Sequence, residues 1–163
     1  MTWKTDQQYL EKAIAISQAA LDGGNEPFGA LLVDGEGNIL LEQPNRVGDL
    51  NDDTAHDSIL AASEASRRYD KEFLADCTLY ATIEPCFMCF GAIFWANIGK
   101  VKFAMAESEL NGMFGGDPLI TLHTDTIAGY LGKPIAVEGP YPETVPAVKA
   151  VIRQWLESFG QEG

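Results

Sequence analysis

Ala81-Thr82-Ile83-Glu84-Pro85-Cys86-Phe87-Met88-Cys89 is the stretch from which the rest of this chain is read. It carries two of the three cysteines, after an apolar β-like run and at the start of an apolar helical segment. A helix start presents free backbone N–H groups and the positive end of the helix dipole. Both lower a thiol pKa and favour the thiolate that binds metal. Pro85 suits a first helical turn, where a missing N–H costs nothing. Alone, a Cys-x-x-Cys pair is open between zinc, redox chemistry and no function, so a third ligand is needed.

One of the two histidines stands in Asp53-Thr54-Ala55-His56-Asp57-Ser58-Ile59-Leu60-Ala61-Ala62. Asp and Thr are capping candidates ahead of apolar residues at helical spacing, so this is a second helix start. One His and two Cys form a donor set that zinc favours, with a fourth position left for water. The competing reading of His56 is a satisfied buried histidine, against which the Cys pair weighs.

Asp52-Asp53-Thr54-Ala55-His56, followed by Glu84-Pro85-Cys86-Phe87-Met88-Cys89, resembles the cytidine deaminase-like zinc deaminases, whose signature is H-x-E…P-C-x-x-C. The likeness is to the guanine and cytosine nucleobase deaminases and to the tRNA adenosine deaminases. Pro27-Phe28-Gly29-Ala30-Leu31-Leu32-Val33, Asn45-Arg46-Val47 and Gly91-Ala92-Ile93 share it, and it spans about residues 6 to 120. The resemblance implies a three-layer α/β/α cytidine deaminase-like fold with a mixed five-stranded sheet. It implies zinc on His56, Cys86 and Cys89, Phe28 in the wall of a base pocket, Asn45 holding the base, and a homodimer. It also makes Asp117 a candidate for reading a substrate N–H or relaying protons, as in guanine-type enzymes.

One departure bears on the chemistry. The family places a Glu two residues after the His, and here that residue is Ser58. The Glu is the proton shuttle between the attacking water, the substrate ring and the leaving amine. Serine has no accessible pKa for that task, and Asp57 lies about 100° away around the same helix. Asp117, Asp57 and Ser58 are the candidate catalytic positions.

Composition bounds the remaining possibilities. With 163 residues and 46% apolar content, a single domain over 1–163 with a full core is expected. The net charge of −13, from 11 Lys+Arg against 24 Asp+Glu, disfavours a nucleic-acid partner, whose backbone needs a cationic surface. Three cysteines do not make a disulfide framework, and with no signal peptide or long apolar span a cytoplasmic protein without a membrane partner is expected.

The remaining elements follow from periodicity. A first helix over 6–21 ends at Gly23-Gly24, and Phe28 to Val33 with Ile39 to Leu41 forms a hairpin around Asp34-Gly35-Glu36-Gly37-Asn38. Gly29 permits a close approach, of a ligand or of core backbone. Residues 48–53 form a polar loop, and the His56 helix runs to about Tyr69, with Glu64 on its surface. Strands are expected over 77–82, 101–105 and 135–138. The helix from Cys86 to about Asn97 is apolar nearly all round, which predicts burial on more than one side, a subunit interface being a further use of such a face. Residues 107–118 form an irregular, glycine-rich stretch, either a lid or a surface loop; His123 lies on the surface, and 145–159 is a final amphipathic helix. This order gives one mixed sheet with helices on both faces.

The leading function is zinc-dependent hydrolytic deamination of a small-molecule amino-heterocycle by a non-standard proton shuttle. The alternative is a catalytically impaired, zinc-stabilised relative, which Ser58 favours. A tRNA adenosine deaminase is disfavoured by charge, and a redox Cys-x-x-Cys protein would leave His56 idle.

Overall fold

The computed structural model describes residues 4–115, 117–118 and 122–160. Helix α1 (Asp6–Asp22) opens on Thr5, whose side chain accepts from Gln8 N while the Gln8 side chain accepts from Thr5 N. The hairpin follows as β1 (Gly29–Val33) and β2 (Ile39–Pro44). A single turn, α2 (Val47–Leu50), leads to α3 (Asp57–Arg68) and α4 (Lys71–Ala75). Next come β3 (Thr78–Ile83), α5 (Phe87–Ala96), β4 (Lys100–Met105), α6 (Glu107–Phe114), α7 (Thr124–Ala128), β5 (Ala136–Glu138) and α8 (Val145–Phe159).

The strands form one five-stranded sheet in the order β2-β1-β3-β4-β5. β1 runs antiparallel to β2 and β3, whereas β3, β4 and β5 are parallel. All of β1 is buried, because alternate side chains enter opposite cores. Ala30, Leu32, Leu79 and Ala81 join Ala61 and Ala65 of α3 and Phe90 and Ile93 of α5. Leu31, Val33 and Tyr80 join Leu10, Ala13 and Ile14 of α1 and Val148 and Ile152 of α8. The expected three-layer architecture therefore holds.

Four local expectations change. Residues 107–118, irregular by their glycines in sequence, contain α6 over Glu107–Phe114. Acidic residues in its first turn complement the helix dipole, and the one interior glycine, Gly112, is tolerated. The polar loop after Arg46 contains α2, closed by Asn51 at φ 49°. The close approach at Gly29 is by α1: a Cβ there would lie 2.8 Å from Ala13 O and Ser17 N. Finally, α5 exposes one face, with Phe87 55% and Trp95 73% exposed. Past Pro118, α7 is helical, and 119–121 lie outside the described residues.

Candidate metal centre and active site

The two helix starts anticipated around His56 and Cys86 stand side by side, because α3 and α5 pack against each other on one face of the sheet. His56 is the N-cap of α3 and Cys86 that of α5, with Cys89 in the first turn of α5. The His56 Nδ1 lies 3.4 Å from Cys89 Sγ and 3.8 Å from Cys86 Sγ. All three donor atoms fall within 4.8 Å of one another. Around a tetrahedral zinc with bonds of about 2.05 Å to nitrogen and 2.3 Å to sulfur, donors are about 3.6 Å (N to S) and 3.8 Å (S to S) apart. The donor set and its spacing thus fit zinc, and these three residues could hold it.

The electrostatics of the trio suit metal binding. Hydrogen bonds from the Cys89 thiol, and then from His56, bring the Cys86 thiol down to about 4. The Cys89 thiol is raised by that same bond and by burial. The third cysteine, Cys77, is fully buried, and burial pushes its thiol up to about 11, in keeping with a small apolar role.

The trio opens into a cavity of about 90 Å³. Asp57 and Ser58 of α3 form one wall, Glu107 and Leu110 of α6 another, with Phe28 and the end of β3 completing it. Thr82 Oγ1 accepts from Gly29 N at 3.3 Å, tying β1 to β3 beneath it. Phe28 meets Trp155 of α8 edge-on at 5.8 Å, and Trp155 meets Phe114 of α6 at 5.7 Å. One wall is therefore backed by an aromatic cluster drawn from α6, α8 and the residue before β1.

The other sequence candidates divide. Asp57 is buried, and burial raises its carboxyl to about 6. Ser58 is 3% exposed and lines the cavity. Asp117 is exposed beyond α6 and is not among the residues lining the cavity. Asn45 is fully buried and already engaged: its Oδ1 accepts from Val47 N at 3.0 Å, and its Nδ2 donates to Glu26 Oε2 at 3.2 Å. Glu26, half-buried, has its carboxyl raised by burial against the opposing pull of His56 and Asn45.

Two carboxylates of the site escape a motif-based search. Glu84, 6% exposed, accepts from Glu107 N (3.1 Å), Thr124 N (3.0 Å) and Thr124 Oγ1 (2.8 Å), joining the starts of α6 and α7 to the end of β3. Glu107 is half-buried against the cavity; burial, then the negative charges of Cys86 and Glu84, raises its carboxyl to about 7. The available signal was topological. β3 and β4 are parallel neighbours, so residues just past their carboxyl ends converge on one crevice.

The fold defines the class. The guanine deaminase from Nitrosomonas europaea has a solved structure that matches with a TM-score of 0.76 at 23% identity, over 95% of this chain and 86% of that one. This is the mixed-sheet α/β architecture of cytidine deaminase-like proteins. Residues 3–105 match the cytidine and deoxycytidylate deaminase zinc-binding region, and the chain belongs to that family. It is 38% identical over 141 residues to a probable cytosine deaminase of Schizosaccharomyces pombe, covering 85% of each chain. It is 37% identical over 107 residues to a tRNA-specific adenosine deaminase of Aquifex aeolicus, covering 66% of this chain and 70% of that one.

Proposed function

We propose that the protein is a zinc-dependent hydrolytic deaminase of a free, amino-substituted, nucleobase-like heterocycle of cytosine or guanine type. The observation that carries this reading is the His56–Cys86–Cys89 trio opening into a small cavity with an aromatic wall. Zinc, when bound, would supply a water of lowered pKa and a Lewis acid. Phe28 offers the ring an aromatic contact inside the cavity. Asn45 and the Glu26 carboxylate that it holds stand outside the cavity lining, so Asn45 positions the segment leading into α3 through its bond to Val47 N. A carboxylate takes a proton from the attacking water, whose oxygen forms a bond to the amino-bearing ring carbon. That proton goes to the ring nitrogen, and the second proton, taken from the added oxygen, goes to the leaving amine, so ring–NH2 and water become ring carbonyl and ammonia.

Ser58 requires that the carboxylate come from elsewhere. Asp57 is the sequence candidate that lines the cavity. The same serine supports a second reading, a zinc-stabilised relative that binds a heterocycle without turning it over. The net charge of −13 weighs against a tRNA substrate, although tRNA-specific relatives are similar in sequence. Exposed Phe87 and Trp95 on α5 support a homodimer through that helix.

The deciding measurement is ammonia release by zinc-loaded protein across purines, pyrimidines, pterins and triazines. Saturable turnover of a free base is expected. Tight binding of a ring with no ammonia from any of the panel would favour the inactive relative, and turnover of tRNA alone would move the substrate to nucleic acid.

A further inference from the structure

A deaminase of this family that lacks a carboxylate at position 58 needs another one in reach of water and ring. Three carboxylates line the cavity: Asp57, Glu84 and Glu107. Glu84 is committed, since its two oxygens accept three hydrogen bonds and secure the starts of α6 and α7. Asp57 directly follows the metal donor His56 in the chain, so its backbone is fixed together with that donor.

Glu107 differs on both counts. Its backbone N–H is fixed by Glu84 at 3.1 Å, which sets where the residue stands. Among the described residues, nothing donates a hydrogen bond to its carboxylate or pairs with it. It is half-buried and lines the cavity from α6, whereas Ser58 lines it from α3. α6 contributes none of the three metal donors, so a group there moves protons without disturbing them.

We propose that Glu107 is the catalytic acid–base of this site, standing in for the absent glutamate at position 58; this rests on the deaminase reading above. Glu107 takes a proton from the attacking water as the new C–O bond forms at the amino-bearing carbon. The electron pair of the C=N bond moves to the ring nitrogen, which receives that proton from Glu107. Glu107 then takes the second proton from the added oxygen and gives it to the amine. The C–N bond breaks, ammonia leaves and the carbonyl forms, with no net change at Glu107. Burial, the largest cause of its raised pKa, persists whatever occupies the metal site and suits a group that must both accept and release a proton near neutrality.

The test is Glu107→Gln, with Glu107→Asp as the conservative variant, both checked for fold by circular dichroism and for zinc content. On a base that the wild type deaminates, Glu107→Gln should lose about 10²- to 10⁴-fold in kcat with KM and zinc unchanged, and Glu107→Asp should lose less. The second readout needs no turnover: the pH titration of visible absorption with Co2+ in place of zinc. A carboxylate coupled to the site contributes a step to that titration, and Glu107→Gln should remove it. Turnover by Glu107→Gln within about threefold of wild type overturns the proposal, that being well short of the loss of an acid–base group. If the wild type releases ammonia from no base, the deaminase reading fails; the cobalt titration then decides Glu107, and identical curves for the two proteins overturn its role.

Discussion

Glu84→Ala tests whether one buried carboxylate holds the α6 wall in place. The side chain is 6% exposed and accepts three hydrogen bonds, one from Glu107 N and two from Thr124. Truncation to alanine leaves Thr124, itself 1% exposed, with its N–H and hydroxyl unpaired. A buried donor left unsatisfied costs about 1–3 kcal/mol, and the Glu107 N–H, nearer the surface, costs less. Relief of the carboxylate's own burial offsets part of this, so a net loss of about 3 kcal/mol is expected. In a chain of this size each kcal/mol moves Tm by about 2–4 °C, giving a drop of about 6–12 °C by calorimetry of zinc-loaded protein. Glu84→Gln keeps one acceptor toward Thr124 but turns an amide toward the Glu107 N–H, and should fall between wild type and alanine. A Tm within about 2 °C of wild type for Glu84→Ala would refute the reasoning, because it would mean that these hydrogen bonds carry no net stability.

Three further outcomes follow from the same structure. Zinc should be present at about one ion per chain and be lost in Cys86→Ala/Cys89→Ala by elemental analysis, since one remaining donor makes no site; retained zinc would displace the ligand assignment. Gly29→Ala places a Cβ 2.8 Å from Ala13 O and Ser17 N, so α1 must lift from β1; denaturant unfolding should show a loss of about 1–3 kcal/mol, and a neutral result would contradict the close approach. Burial alone would raise the Asp6 carboxyl, but hydrogen bonds from Lys102, Tyr80 and Tyr141 outweigh it and hold the group below its usual 3.8. Its stabilising effect is therefore complete above that value and lost as pH falls through the lower folded pKa, so the Tm gap between wild type and Asp6→Asn should close below about pH 4; a constant gap down to pH 2 would contradict the pairing.

The metal trio was legible in the sequence because its geometry is local. A Cys-x-x-Cys at a helix start fixes two donors, and one His at another helix start needs only the two helices to be neighbours. The sheet was legible for a similar reason, its strands being short apolar runs bounded by turn residues. Glu107 was not, because its glycine-rich segment reads as irregular, and the bond that fixes the start of α6 comes from Glu84, more than twenty residues earlier. Asp117 is a candidate through the resemblance to guanine-type enzymes; in space it stands exposed outside the cavity lining, while Glu107, ten residues earlier, lines it. Asn45 matched a substrate-holding pattern, yet both ends of its amide are engaged by Val47 and Glu26. Side-chain partners of this kind depend on packing that no spacing rule encodes.

Ser58→Glu separates the two ways in which this site can hold its acid–base group. Positions 58 and 107 face the same cavity of about 90 Å³ from different helices. If Glu107 does the work, a glutamate at 58 adds a fourth carboxylate to a cavity already lined by Asp57, Glu84 and Glu107. Like charges at close range cannot both ionise cheaply, so one pKa rises and the pair shares a proton. The new side chain also occupies room that the ring needs. Turnover of the native base should therefore fall by about tenfold or more, within what acid–base disruption costs. In a Glu107→Gln background the same substitution should raise turnover, because it returns an uncommitted carboxylate to the cavity with no charge left at position 107. The change in sign between backgrounds is measurable as ammonia release from one base with four proteins: wild type, each single variant and the double. A gain in the wild-type background larger than that in the Glu107→Gln background would mean that the site lacks a working carboxylate, and the account of Glu107 would fall.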